Sequence, residues 1–292
     1  MTSKRKVAIV TGASRGAGAG IAHALGQHGC TVYVTGRTLN HADHALGGTI
    51  GATAEKVTAA GGEGIAVRCD HSNPEDVKAL FERIMDEQGR IDILVNNAAA
   101  VYDEVNLPGG FWERPFKLGD MIDVGIRSSY DASWYAAQAM VKQDDGLILF
   151  TSASGAEHYL FGPAYGAHKA ALDKMSFDMA HDFAVAGKNV ASVSVWMGAV
   201  MTERIQRLIA ADPERMSGIA AQTEDAEFTG HIAWALYNDP KRQERSGTTF
   251  IGAELAREYG ITCSDGRQPP SYRDTLGIAP HQFTRHGDGK AK

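Results

Sequence analysis

Short apolar runs alternate along the chain with longer stretches in which apolar residues recur every three or four positions. The short runs predict buried β-strands, and the longer stretches predict helices with one apolar face. The predicted strands are residues 7–10, 31–35, 64–69, 91–95, 147–151, 190–196 and 248–251. The predicted helices are residues 16–27, 52–60, 73–87, 118–141, 164–186 and 224–237.

The regular alternation of strands and helices is typical of parallel βαβ units. It predicts an α/β fold: a single Rossmann-like, doubly wound parallel sheet of about seven strands, with helices on both faces. We interpret residues 1–292 as a single dinucleotide-binding oxidoreductase domain, because no linker divides the chain. The long connections 99–117 and 198–223 are predicted to hold the substrate, and a C-terminal extension begins after about residue 253.

The amino-acid composition limits the kinds of molecule that the protein is expected to bind. The 292 residues include 29 basic and 35 acidic ones, a net charge of −6 without a basic stripe, which argues against a nucleic-acid partner. No apolar run approaches the length of a membrane span, so we expect no membrane contact. Three widely separated cysteines favour a reducing, cytoplasmic location. His41, Asp43 and His44 lack a clear further ligand, so we expect no metal site.

A glycine-rich loop, residues 11–18, lies between the first strand and the first helix. Gly12 suits a tight turn, and Gly16 and Gly18 let backbone N–H groups approach a pyrophosphate at the positive end of the helix. A spaced glycine triplet alone is equally compatible with an ordinary turn. The strand–turn–helix context favours a dinucleotide site.

The end of the second strand bears on the choice of cofactor. NAD sites usually carry an acidic residue there, to bind the ribose 2′-hydroxyl. Here Arg37 follows the strand, and the next acidic residue is Asp43. Arg37, helped by Arg15, suits a 2′-phosphate, although two solvated arginines are the simpler alternative. The sequence therefore predicts that NADP(H) is preferred and that NAD(H) is possible.

Tyr165 and Lys169 are four residues apart and therefore share one face of a predicted helix. Tyrosine has a pKa of about 10, and a nearby ammonium favours its phenolate form. Such a pair also occurs by chance as an exposed helical pair. Ser152, at the end of the fifth strand and 13 residues before Tyr165, makes a catalytic interpretation more specific.

With these motifs the chain resembles the classical short-chain dehydrogenase/reductase family. The resemblance spans roughly residues 5–255 and rests on segment 11–18, Asp70, segment 96–99, Ser152, segment 165–169 and segment 197–202. Within the family, segments 32–37, 111–115, 124–127 and 256–260 are most similar to the dehydrogenase/reductase member 1 type.

The resemblance implies an NADP(H)-dependent oxidoreductase that transfers hydride between nicotinamide and a carbonyl or alcohol substrate. Ser152 would position the substrate oxygen, Tyr165 would act as general acid or base, and Lys169 would hold the nicotinamide ribose and lower the pKa of Tyr165. The implied cofactor-binding residues are Gly12, Ser14, Arg15, Gly16, Gly18, Arg37, Asp70, Asn96, Ala98, Tyr165, Lys169, Gly198 and Thr202. The family also implies a homodimer or homotetramer formed by the two long helices.

The chain departs from the family pattern at Gly125, where most members have an asparagine that completes a proton relay through water. Either water and a backbone carbonyl carry the relay, which we favour, or proton exchange is impaired. The first option predicts that Gly125→Asn leaves turnover near wild type or raises it. Gly125 is also the one feature that favours the alternative function, a non-catalytic NADP(H)-binding sensor or scaffold. Ala99 and Met197 are smaller departures that should not abolish cofactor binding.

Overall fold

The computed structural model describes residues 5–285, which form a seven-stranded parallel sheet with helices on both faces. The strands lie in the order β3-β2-β1-β4-β5-β6-β7. Their bounds are β1 Val7–Val10, β2 Thr31–Gly36, β3 Glu63–Arg68, β4 Ile93–Asn96, β5 Gly146–Ser152, β6 Val190–Trp196 and β7 Thr249–Ile251. The strand order changes direction between β1 and β4, so a crevice opens there at the carboxyl edge of the sheet.

Eleven α-helices occur within residues 5–285. They are α1 Gly16–Gln27, α2 Ile50–Ala59, α3 Pro74–Gln88, α4 Ser128–Gln143, α5 Pro163–Val185, α6 Glu203–Ala211, α7 Pro213–Ala220, α8 Phe228–Asn238, α9 Arg242–Arg245, α10 Gly252–Tyr259 and α11 Tyr272–Leu276. None of the helices in this described part is both long and apolar enough to cross a membrane.

The central strands are buried on both faces, which explains their continuous apolar sequences. Alternate side chains enter two separate cores. Val10 and Val34 pack in the core that includes residues of α1 and α8, such as Leu25. Ile9 and Tyr33 pack in the core that includes residues of α3, α4 and α5. The two cores hold the carboxyl edge of the sheet rigid, and this edge carries the predicted site.

Two predicted helix boundaries are wrong. The region 118–141 is not one helix: residues 122–127 form a π-type turn in which Val124 and Gly125 leave the helical region, and α4 starts at Ser128. The helix predicted to begin at Glu224 begins at Phe228, because the backbone of Glu224 pairs with Val200 instead. The connection 198–223 also contains α6 and α7, which the sequence did not predict.

Candidate active site

The glycine-rich loop packs tightly against the end of β4. A Cβ atom at Gly12 would lie 2.7 Å from the Cα of Ala98, and one at Gly18 would lie 2.5 Å from the carbonyl oxygen of Gly12. Gly12 and Gly16 also have positive φ angles of 65° and 58°. Ser14 of this loop is buried. Side chains at Gly12 and Gly18 would therefore displace the backbone, and one at Gly16 would be strained by its positive φ, as expected of a phosphate-binding loop.

Thr11 and Asn97 tie this loop to β4. The hydroxyl of Thr11 accepts hydrogen bonds from the N–H groups of Asn97 (2.9 Å) and Ala98 (3.0 Å), and the Asn97 amide donates to the carbonyl of Thr11 (2.8 Å). The Asn96 amide instead donates to the hydroxyl of Ser133 on α4 (2.8 Å), below the sheet edge. Asn97 belongs to the segment 96–99 that carries the family resemblance, but it is not among the predicted cofactor-binding residues.

The first N–H of α1 already binds an anionic group. Gly16 donates to a carboxylate oxygen of Glu203 at 2.9 Å, and Thr202 lies beside Gly16 and caps α6. Gly198 donates its N–H to a carboxylate oxygen of Glu224 at 3.0 Å. The connection after β6 thus contacts the glycine-rich loop, and its carboxylate accepts from an N–H at the positive end of α1.

Arg37, which follows β2, and Arg15 of the glycine-rich loop differ in their contacts. The side chain of Arg37 is 64% exposed and lies 3.8 Å from a carboxylate oxygen of Asp70. Arg15 is held by the carbonyl of Gly47 and the hydroxyl of Thr38, both at 2.7 Å. Arg37 is therefore the more available cation for a ligand, and Arg15 braces the following loop.

Ser152, Tyr165 and Lys169 come together where β5 ends and α5 begins, and all three are buried. The ammonium of Lys169 donates to the carbonyl of Thr151 at 2.9 Å and lies 5.6 Å from the centre of the Tyr165 ring. The hydroxyl of Ser152 donates to the carbonyl of Lys169 at 3.2 Å. The geometry therefore joins the strand end to the helix face that carries the two ionisable groups.

Burial governs the acidity of these groups. It lowers the pKa of Lys169 to about 8, while the nearby Asp173 carboxylate opposes this shift. It also raises the pKa of Tyr165, and Tyr272 acts in the same direction. The expected lowering of the Tyr165 pKa is thus absent from this structure, because desolvation dominates and the ammonium is engaged by the carbonyl of Thr151.

Asp173 is a buried carboxyl that the sequence analysis missed. Its oxygens accept hydrogen bonds from the hydroxyl of Ser194 (2.6 Å) and the indole N–H of Trp196 (2.8 Å). It follows Lys169 by four residues, so the helical spacing was the signal available in the sequence.

The two predicted substrate loops touch each other through Arg204. Its guanidinium donates to the carbonyl of Val101 at 3.1 Å and pairs with Asp103 at 2.8 Å. The ring of Phe161 lies edge-on to Tyr165, with 5.1 Å between ring centres. Three aromatic side chains of the first loop, in contrast, are largely exposed, and these are Phe111, Trp112 and Phe116.

Comparison with known proteins agrees with this geometry. Residues 6–212 match the family model described as short chain dehydrogenase. The chain belongs to the short-chain dehydrogenase family. It is 39% identical over 295 residues to Dehydrogenase/reductase SDR family member 1 of Mus musculus, covering 97% of this chain and 91% of that protein. The Homo sapiens protein of the same name is 38% identical, with 94% and 88% covered. A solved short chain dehydrogenase from Mycobacterium thermoresistibile superposes with a TM-score of 0.74 at 25% identity, covering 91% of this chain and 93% of that one.

Membership of the short-chain dehydrogenase family confirms the predicted fold class and the resemblance to the member 1 type. As a member, the chain is an oxidoreductase that acts on CH–OH or C=O groups of small molecules with NAD(P)(H). This conclusion favours the enzyme over the alternative of a non-catalytic sensor. The roles of individual residues stay predictions.

Proposed function

We propose that the protein is an NADP(H)-dependent oxidoreductase of a carbonyl or alcohol substrate, with Tyr165 as the general acid and base. The observation that carries this proposal is the buried cluster of Ser152, Tyr165 and Lys169 at the carboxyl edge of the sheet. Buried ionisable groups with shifted pKa values, next to a phosphate-binding loop, are typical of catalytic sites.

The described residues fit a nicotinamide dinucleotide, which when bound supplies the hydride. Its pyrophosphate would be held by Gly12, Ser14, Gly16 and Gly18. Two observations support this fit: Cβ atoms at Gly12 and Gly18 would collide with backbone atoms, and the N–H of Gly16 already binds a carboxylate. The remaining proposed contacts are made by Arg15, Arg37, Asp70, Asn96, Ala98, Tyr165, Lys169, Gly198 and Thr202.

In reduction, Tyr165 donates its hydroxyl proton to the substrate oxygen, and in oxidation it removes that proton. A cation beside it stabilises the phenolate. Lys169 supplies this cation, since a pKa of about 8 leaves the side chain mostly protonated at neutral pH. The Ser152 hydroxyl turns from the carbonyl of Lys169 to hold the substrate oxygen.

Replacement of Tyr165 by phenylalanine tests the acid/base role. We expect Tyr165→Phe to lower kcat by at least about 100-fold, the usual scale for loss of a general acid. NADPH affinity should change little. Turnover is followed by NADPH absorbance with simple aldehydes and ketones, and binding by calorimetry. Tyr159→Phe is the control, because that ring precedes α5 but is 73% exposed. If wild type and Tyr165→Phe are equally inert while NADPH binds, the protein is a sensor.

The NADP preference rests on Arg37, which is exposed at the end of β2 and has only a long pair with Asp70. We expect Arg37→Asp to weaken NADPH binding by about 10- to 100-fold, because a charge-assisted hydrogen bond to the 2′-phosphate is lost. NADH binding should change far less. Arg68→Asp is the control, since Arg68 is similarly exposed at the end of β3. Equal effects of Arg37→Asp on both cofactors, measured by calorimetry, would refute the 2′-phosphate role.

The proposal also includes a cytoplasmic homodimer or homotetramer formed through α4 and α5. Two large rings on α4, Tyr130 and Trp134, are about half exposed and offer apolar contact area. Light scattering of the purified protein tests the assembly, and cell fractionation tests the location.

A further inference from the structure

The chain continues beyond β7 into a segment that returns to the sheet, residues 253–285. Its last helix, α11, is anchored to α10: the hydroxyl of Ser271 bonds a carboxylate oxygen of Glu254 at 2.5 Å, and Arg273 pairs with the same carboxylate at 3.0 Å. The matched family model ends at residue 212, so family membership assigns no role to this segment.

Tyr272, the first residue of α11, connects the ends of two neighbouring strands. Its hydroxyl donates to the carbonyl of Met197, just after β6, at 3.1 Å. A side-chain hydrogen bond joins it to Ser154, two residues beyond Ser152. Its side chain packs against the small apolar cluster of Trp196, Ile251 and Ala253. The segment therefore reaches the edge of the sheet that carries the reactive groups.

Tyr272 also lies within electrostatic reach of two groups at that edge. It contributes to the raised pKa of Tyr165, and its own pKa is raised partly by Glu224. Glu224 is buried, one of its carboxylate oxygens accepts from the N–H of Gly198 at 3.0 Å, and Thr229 also bonds its side chain. Tyr272 as a whole is only partly buried, so it keeps some exposed surface at this edge of the sheet.

From this arrangement, and resting on the proposed function, we infer that Tyr272 is a specificity-determining residue that forms one wall of the substrate site. The ring limits the bulk of the substrate beside Tyr165. The hydrogen bonds to Met197 and Ser154 fix the position of the ring. Substrate choice is therefore set partly by a segment outside the dinucleotide-binding half of the chain.

The inference is tested with Tyr272→Ala, which removes the ring, and Tyr272→Phe, which keeps the ring and loses both hydrogen bonds. The matched control is Tyr259→Phe, since Tyr259 ends α10 and its hydroxyl bonds Asp239 away from this site. Each variant is assayed with NADPH and two carbonyls, a short aldehyde and a bulky aryl ketone. Thermal denaturation measures folding.

We expect Tyr272→Ala to raise kcat/KM for the bulky ketone relative to the short aldehyde by at least about tenfold, as apolar pockets discriminate on this scale. Tyr272→Phe should raise KM for the carbonyls several-fold and leave KM for NADPH unchanged. Tyr259→Phe should leave the selectivity ratio unchanged. An unchanged ratio in Tyr272→Ala, with a lowered Tm alone, overturns the inference and leaves a structural role only.

A failure of the proposed function and a failure of the Tyr272 inference give different experimental results. If the wild-type protein reduces neither carbonyl, the proposed function is contradicted. If Tyr165→Phe abolishes turnover but Tyr272→Ala keeps the wild-type selectivity, only the inference is contradicted. Calorimetric binding of the bulky and the short alcohol to NADP⁺-loaded protein repeats the comparison without turnover. An unchanged binding ratio in Tyr272→Ala likewise overturns the inference.

Discussion

Gly125 and His168 share one space between the start of α4 and the middle of α5. A Cβ atom at Gly125 would lie 2.8 Å from Nε2 of His168, whose side chain is buried. Burial lowers the pKa of His168 to about 2, and Lys169 acts in the same direction, so the ring is neutral. The imidazole therefore fills the volume that a side chain at position 125 would need.

This contact reverses the expectation for Gly125→Asn. We now expect the variant to lose about 1–3 kcal/mol of unfolding free energy, the usual cost of overpacking, and to lose turnover with it. Urea denaturation measures the unfolding free energy, and the rate of NADPH oxidation measures turnover. The double variant Gly125→Asn/His168→Gly should recover part of the loss, because it vacates the space. A single variant as stable and active as wild type would show that His168 moves aside freely.

Local motifs made part of the site predictable. Ser152, Tyr165 and Lys169 were found because their spacing along β5 and α5 is itself the signal. Glu203 and Tyr272 were missed, because they reach the site through contacts between segments far apart in the chain. Nothing in their local sequence separates them from other surface residues, so only the folded structure reveals them.

Among the elements, α6 bridges three parts of the cofactor cleft. Glu203 binds the N–H of Gly16, Arg204 binds the carbonyl of Val101, and Arg207 binds the carbonyl of Ala45 at 2.5 Å. Since Glu203 occupies the N–H group proposed to meet the pyrophosphate, α6 and the dinucleotide compete for one donor. Under the proposed function, dinucleotide binding therefore displaces this carboxylate.

Removing the competing charge should strengthen cofactor binding. We expect Glu203→Gln to lower the Kd for NADPH by up to about tenfold, because a charge-assisted hydrogen bond that opposes binding becomes a weaker neutral one. Glu214→Gln, on the neighbouring α7, should leave the Kd unchanged. Calorimetric titration of wild type, Glu203→Gln and Glu214→Gln with NADPH gives the three Kd values to compare. Weaker binding by Glu203→Gln would mean that the carboxylate helps to hold the loop in its binding shape.

The strands were predictable to within a few residues, because the central ones are short runs of mostly apolar residues buried on both faces. The start of α4, in contrast, was not predictable from the sequence. The periodicity of apolar residues continues from Leu118 into α4, yet the backbone leaves the helix at Val124 and Gly125. The break accommodates the packing against His168, and this long-range requirement has no counterpart in the local pattern.

In the whole molecule, the carboxyl and amino edges of the sheet differ in the role of their side chains. The carboxyl edge carries the candidate active site. The amino edge is stabilised by Asp92, whose side chain is fully buried. Its carboxylate accepts hydrogen bonds from the N–H of Val7 (2.8 Å) and the hydroxyl of Tyr237 (2.9 Å), and it forms an ion pair with Arg90. These contacts join β1, β4 and α8 and suit a stabilising role.

This division predicts that Asp92→Asn destabilises the protein without altering its chemistry. The loss of charge weakens several bonds to a buried site, so we expect about 3 kcal/mol less unfolding free energy. KM values at a temperature well below Tm should match wild type. Urea denaturation and steady-state kinetics provide the comparison. An altered carbonyl KM in the folded variant would contradict the separation of the two edges.

Tyr272, which bonds the carbonyl of Met197, follows all seven strands in the chain and is therefore synthesised after them. A ribosome completes the glycine-rich loop and all seven strands before it reaches α11. A nascent chain can thus acquire its dinucleotide-binding half first, and the wall beside Tyr165 last. Changes near the end of the coding sequence can accordingly alter which substrates are accepted while the earlier-made half stays as it is.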